Sequence, residues 1–193
     1  MIDLVVNHLA GRLNQALRRT LRVTEDLAVA SPLHELDGSI ATQAVNRLVV
    51  FLVNIEREAA AYSPAARPAS TAARIPVIAP PLHLNLLVMF AANFGTANYQ
   101  EALKLTAFTA AYFQSHVMLD HHSDPELDQR IERLSIEMEA LGIHDLTNLW
   151  GVLGGRYVPS ILYRVRMVSV GGEQLLEQQD RIAQPLIGVG PRG

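Results

Sequence analysis

The feature that most constrains the fold is a run of six apolar residues, Leu-Val-Val-Phe-Leu-Val, at positions 48–53. The run is short, rich in β-branched residues and without polar alternation, which is typical of a strand buried on both faces. Such a strand lies inside a sheet that other elements cover on both sides. We therefore expect an α+β (α/β layered) fold, with a single sheet and helices packed on it.

Three further strands are predicted at residues 82–92, 133–139 and 160–170, each from alternation of apolar and polar residues. In the last one, Tyr163, Val165 and Met167 should share one face, while Arg164 and Arg166 lie side by side on the other. The Ala/Pro-rich stretch 59–81 has too few large side chains to form a core and is predicted to be a long loop between neighbouring strands. The order of the strands cannot be read from these patterns.

Three helices are predicted at residues 2–22, 97–116 and 144–153, from apolar residues at three- and four-residue steps. The second has almost no polar face, so we expect it to be the most buried helix. Residues 1–170 should form one domain. Residues 171–193 are rich in Gly, Gln and Pro, have no core pattern and are predicted to be a C-terminal extension or arm.

Composition narrows the function classes. The 193-residue chain is 49% hydrophobic and 18% charged, below the roughly 25% charged residues usual in globular domains. We therefore expect some apolar surface to meet other subunits. Net charge is −3 with scattered arginines, which argues against nucleic acid as a partner. No stretch resembles a membrane span or signal peptide, so we expect assembly in the bacterial cytoplasm.

Two clusters could carry chemistry. Asp120, His121, His122 and Asp124 include residue types that bind zinc or iron, but their spacing matches no metal motif, and a solvated loop before Pro125 is the favoured interpretation. A metal site formed by His121, His122 and a carboxylate would make the chain a metal-dependent hydrolase, which is the enzymatic alternative. The sequence lacks cysteine, and no cofactor is expected.

The second cluster ends the buried strand and contains Asn54, Glu56, Arg57 and Glu58. No nucleophile or glycine-rich phosphate loop accompanies these carboxylates. A salt-bridged strand end or a subunit contact is favoured over acid–base catalysis, because an arginine between two glutamates can bridge a subunit boundary.

Several segments together resemble the cap family of extracellular contractile injection systems, the antifeeding-prophage-like particles. The pieces are Asp37-Gly38-Ser39, residues 52–58 (Leu-Val-Asn-Ile-Glu-Arg-Glu), 80–86 (Pro-Pro-Leu-His-Leu-Asn-Leu), 92–94 with 98–99 and 102–103, 112–114, the turn from Trp150 to Gly154, and 157–160 with 163–167. Their order and spacing match over about residues 2–170.

The resemblance implies a structural protein similar to phage tail terminators and no enzymatic activity. In such assemblies six subunits form a ring at the end of the inner tube distal to the baseplate, which stops tube growth and holds the last sheath ring. The implied partners are further copies of the chain, the inner-tube protein and the sheath protein, in a particle that is released or retained. The alternative within the same machine is a tube or baseplate-initiating subunit.

Assembly contacts are expected from two regions. The first combines the strand-end cluster (Asn54, Glu56, Arg57, Glu58) with Arg164 and Arg166, where Glu56 and Arg57 are candidates for an ion pair between subunits. The second is the arm after residue 170, which we expect to add as a strand to a sheath or neighbouring cap sheet. Its apolar residues are Leu175, Leu176, Ile182, Leu186 and Ile187. Compared with that family, loop 59–79 is unusually rich in Ala and Pro.

Overall fold

The computed structural model describes residues 1–58 and 83–169, together with the backbone of two further strands. The helices are α1 (Ile2–Leu21), α2 (Tyr99–Ser115) and α3 (Ile143–Val152). The strands are β1 (Ala28–Ala30), β2 (Arg47–Arg57), β3 (Arg74–Ile78), β4 (His83–Asn93), β5 (Met118–Asp120), β6 (Ile131–Met138), β7 (Ser160–Ser169) and β8 (Leu175–Asp180). All three predicted helices and the four predicted main strands are confirmed.

Six strands form one sheet in the order β1-β2-β4-β7-β6-β5. Strand β1 runs parallel to β2, and every other neighbouring pair is antiparallel. The predicted run 48–53 lies in β2, an interior strand with β1 and β4 on its two sides, and Leu48–Phe51 are buried. The α+β class with helices on one main sheet is therefore confirmed.

The inner face of the sheet is covered by α1 and α2. Helix α1 buries a stripe at three- and four-residue steps, Val5, Leu9, Leu13 and Leu17, against alternate strand residues such as Val50 and Val88. Burying a side chain of this size contributes about 1.5–3 kcal/mol. The amide of Asn14 bonds both backbone groups of Ala28, at 2.7 and 2.8 Å, and so occupies the outer edge of β1.

An aromatic cluster forms the centre of this inner layer. The rings of Phe90, Phe113 and Tyr163 lie with centroids 5.1 to 5.5 Å apart in tilted or edge-on pairs, the arrangement that aromatic quadrupoles favour. Burial raises the pKa of Tyr163 to about 12, because the phenolate would lose its hydration there. The shared face predicted for Tyr163, Val165 and Met167 is confirmed, and all three lie in this core.

The outer face of the sheet is only partly covered. A second core packs Trp150 of α3 and Leu33 and Ala44 of the β1–β2 connection on Phe51 and Met89. Helix α3 ends at Val152, and the turn after it contains Gly154 and Gly155, both at positive φ (103° and 75°). Glycine adopts this conformation without the strain of a Cβ. The rest of this face, toward the end of β2, carries polar residues.

The prediction that α2 is the most buried helix is wrong. Only Ala102, Leu105, Thr109 and Phe113 of its 17 residues are buried, against six of 20 in α1. Several alanine and leucine residues of α2 lie on the side of the helix that faces away from the sheet. Within the described residues, no other element covers that side. In the described part of the chain, no helix is long and apolar enough to cross a membrane.

Candidate assembly surfaces

A β-bulge in β2 determines which residues reach the uncovered outer face of the sheet. Phe51 pairs with Met89, and Asn54 pairs with Leu87. Between these two pairs β2 advances by three residues, whereas β4 advances by two. A bulge of this kind reverses the alternation of faces beyond it. Asn54, Glu56 and Glu58 therefore share the face of Phe51.

The register then aligns charged residues of several strands on that face. Asn54 lies opposite Leu87, which pairs on its other side with Arg164, and Arg164 lies opposite Glu137. The next row runs from Glu56 through Asn85 and Arg166 to Ser135. Six ionisable residues of this face are joined by ion pairs, and we call them the charged grid: Glu56, Glu58, Glu137, Glu139, Arg164 and Arg166.

Each arginine of the grid contacts two glutamates. Arg164 Nη1 donates to Glu56 Oε2 at 2.5 Å and Arg164 Nε to Glu139 Oε2 at 2.9 Å. Arg166 reaches Glu137 at 3.5 Å and Glu58 at 3.9 Å. Residues from three separate parts of the chain are thereby joined on one surface.

The electrostatics of the grid favour a charged, solvated surface over a catalytic site. The hydrogen bond from Arg164 holds the pKa of Glu139 below its ordinary value, and the carboxylates raise the pKa of Arg164. Four carboxylates face two guanidinium groups, which leaves these six side chains with a net charge of −2. Exposed pairs of this type contribute about 0–1 kcal/mol each to stability.

The structure brings together most of the predicted strand-end residues, with one exception. Arg57 lies opposite Leu84 in the register, which places it on the helix-covered face, away from Glu56. The carboxylate of Glu56 is engaged by Arg164 of the same chain. A salt-bridged strand end is thus confirmed, whereas an ion pair of Glu56 or Arg57 with another subunit stays a prediction.

The predicted loop and the predicted arm meet each other. Arg74–Ile78 forms β3 inside the segment expected to be a loop, and it pairs antiparallel with β8 of the C-terminal segment. Leu175 lies opposite Ile78, and Leu176 follows it in β8. The expectation of a loop without a strand is wrong here, because the pairing connects segments about 100 residues apart. Ile182, Leu186 and Ile187 lie outside the described residues.

The histidine-rich loop is organised by hydrogen bonds. The Asp120 carboxylate accepts hydrogen bonds from the backbone N–H groups of Ser123 and His122, which lower its pKa. His121 and His122 are exposed. Within residues 1–58, 83–169 and the two added strands, no three His, Asp or Glu residues are grouped as metal ligands would be. The interpretation as a solvated loop holds for these two histidines.

Asp124 of the same loop is not solvated. Its side chain is fully buried, with Oδ2 2.7 Å from His8 Nε2 and 3.2 Å from Arg12 Nε. This contact ties α1 to the connection between β5 and β6. Its partners lie more than 110 residues away, so no spacing along the chain could indicate it.

Family membership follows from residues 4–184, which match the Pvc16 N-terminal domain. The chain belongs to this family, and the resemblance to the cap proteins is confirmed. No curated protein matches it.

Two solved structures share the fold. The cryo-EM structure of the anti-feeding prophage cap (AFP tube terminating cap) superposes with a TM-score of 0.59 at 15% identity, over 97% of this chain and 60% of that one. The PVC sheath/tube terminator of an extracellular contractile injection system, in the extended state, gives a TM-score of 0.58 at 19% identity, over 100% and 62%. The chain therefore spans about three fifths of the length of each.

Proposed function

We propose that this protein is a structural cap subunit of a contractile injection system. Six copies assemble into a ring that ends growth of the inner tube and anchors the distal sheath ring. The observation that carries the proposal is the match of almost the whole chain to the fold of two tube terminators, within a family shared over residues 4–184. A subunit of this type needs surfaces for its neighbours and no reaction centre.

The surfaces described above suit such a subunit. The charged grid and the neighbouring Asn54 form a polar patch on the outer face of the sheet. Charged and polar groups at an interface contribute more to the specificity of subunit contacts than to their affinity. We assign the grid to contacts with tube or sheath. The strand β8 and the residues after it, including Ile182, Leu186 and Ile187, are assigned to sheath attachment. The ring would assemble in the bacterial cytoplasm.

The position of the chain in the particle tests this function against its rivals. We expect an affinity label on the protein to appear in electron micrographs at one end only, opposite the baseplate. A tube subunit would be labelled along the whole particle, and a baseplate-initiating subunit at the opposite end. A particle without label at its distal end would contradict the proposal.

A further inference from the structure

The charged grid has a surplus of hydrogen-bond acceptors. Arg164 holds its two glutamates at 2.5 and 2.9 Å. Arg166, by contrast, lies 3.5 Å from Glu137 and 3.9 Å from Glu58, whereas charge-assisted hydrogen bonds are usually about 2.7–2.9 Å long. The carboxylates of Glu58 and Glu137 can therefore accept hydrogen bonds from further donors.

A buried amide beneath the grid adds one more acceptor. Asn85 pairs with Glu56 on one side and with Arg166 on the other, so its side chain points from the sheet into the grid. The residue is only 8% exposed, and its Oδ1 has no hydrogen-bond partner among the described residues. Buried polar atoms are almost always hydrogen-bonded. An unpartnered oxygen at this position indicates a donor that the single chain does not supply.

The charge of the surrounding face has the same sign as the grid. The grid itself carries −2, from four carboxylates and two guanidinium groups. The next row of the face runs from Asp120 through Arg133 and Val168 to His83. With His83 counted as neutral, this row adds one charge of each sign and leaves the balance unchanged.

A cationic hydrogen-bond donor fits a surface that combines negative charge with unfilled acceptors. A metal ion would need at least three carboxylate or imidazole groups directed at one point, and the part of the chain that the structure describes contains no such group. A lysine or arginine side chain does not need this convergence, because its several N–H donors reach separate acceptors. An anionic or purely apolar partner would leave the Asn85 oxygen unsatisfied.

We propose that the charged grid docks a lysine or arginine side chain of the inner-tube subunit, which bonds Asn85 Oδ1 and the carboxylates of Glu58 and Glu137. The side chain of Arg166 is 50% exposed and bonded only at long distances, so it can shift to admit the donor. The grid lies on strands held in fixed register, and ion pairs on such a surface suit the tube better than a sheath that moves on contraction. The inference rests on the proposed function and names the chemistry of the tube contact.

Two substitutions in the full-length chain test the contact, by co-sedimentation with purified inner tubes. Asn85→Leu nearly keeps the size of the side chain and removes the unpartnered oxygen. It should melt at or above the wild-type temperature, because a buried unsatisfied acceptor is lost. It should nevertheless bind tubes at least about tenfold more weakly, because the partner's donor is then left unpaired.

Glu137→Gln removes one charge of the grid from a side chain that is 54% exposed. It should melt like the wild type and also bind tubes more weakly. Glu25→Gln is the charge-matched control, since Glu25 is exposed between α1 and β1 and lies outside the grid. This control should bind tubes like the wild type.

Chemical modification of the tubes identifies the side chain of the partner. Either acetylation of tube lysines or phenylglyoxal treatment of tube arginines should reduce wild-type binding to the level of Asn85→Leu, on tubes that stay intact in electron micrographs. Binding should also fall as the ionic strength rises from about 0.1 to 1 M, where the screening length drops from about 10 to 3 Å.

Several outcomes would overturn the inference. These are wild-type binding by Asn85→Leu, a melting temperature of Asn85→Leu well below the wild type, binding that survives both modifications, or loss of binding in the Glu25→Gln control. Weaker binding of the grid variants to purified sheath alone would assign the grid to the sheath. An altered oligomeric state of these variants in native mass spectrometry would assign it to a second copy. A wild-type chain that binds no tube would contradict the proposed function itself, so the two failures are distinguishable.

Discussion

A strain that lacks this protein is expected to make tube and sheath subunits and to assemble them into particles of uncontrolled length. A tube ring repeats its own surface at every step, so growth continues until a subunit of different surface occupies the end. Electron microscopy of purified particles measures the effect directly. The length distribution should widen several-fold and acquire a long tail.

Complementation separates loss of the cap from other effects of the deletion. Wild-type protein supplied from a plasmid should restore the narrow distribution, and the empty plasmid should not. Particles of normal length that contract fully in the strain without this chain would contradict the assignment as a terminator.

The largest effect on stability is expected from Asp124→Ala. The fully buried carboxylate holds His8 and Arg12 of α1, and its removal leaves a guanidinium without its buried counter-charge. Breaking a buried pair in this way costs about 3–5 kcal/mol. For a chain of this size, each kcal/mol lowers the melting temperature by about 2–4 °C. Calorimetry should therefore show a drop of roughly 6–20 °C.

Asp26→Ala is the matched control for that experiment. Asp26 also pairs with an arginine of α1, Arg18, but both side chains are about half exposed. An exposed pair contributes only about 0–1 kcal/mol, so the control should melt close to the wild type. Equal melting temperatures for Asp124→Ala and Asp26→Ala would show that the buried contact does not hold α1 in place.

Elements with a long local pattern could be predicted from the sequence. Helix α1 and strands β4 and β7 each repeat their apolar spacing over ten or more residues, and their faces follow from the same spacing. Strand β2 is indicated instead by its unbroken apolar run. Strands β1 and β5 have three residues each, too few for any period to be visible. Strands β3 and β8 exist through their mutual pairing, which no local pattern encodes.

The surfaces were predictable only in part. Arg164 and Arg166 were placed correctly, because β7 alternates without interruption. Glu56 and Glu58 reach the same face through the bulge after Leu52, which shifts the alternation by one residue and has no clear sequence marker. The exposed side of α2 was missed for another reason. Apolar content indicates that a helix is covered, but it does not distinguish cover by the same chain from cover by a partner.

The most direct test of the central claim is growth of the inner tube in vitro. Purified tube subunits are polymerised alone, with the native chain at a small fraction of their concentration, or with the heat-unfolded chain as control. We expect the native chain to stop elongation and leave short tubes that carry it at one end, while the other two reactions continue. Tubes that elongate at an unchanged rate with the native chain, or that incorporate it along their length, would contradict the account.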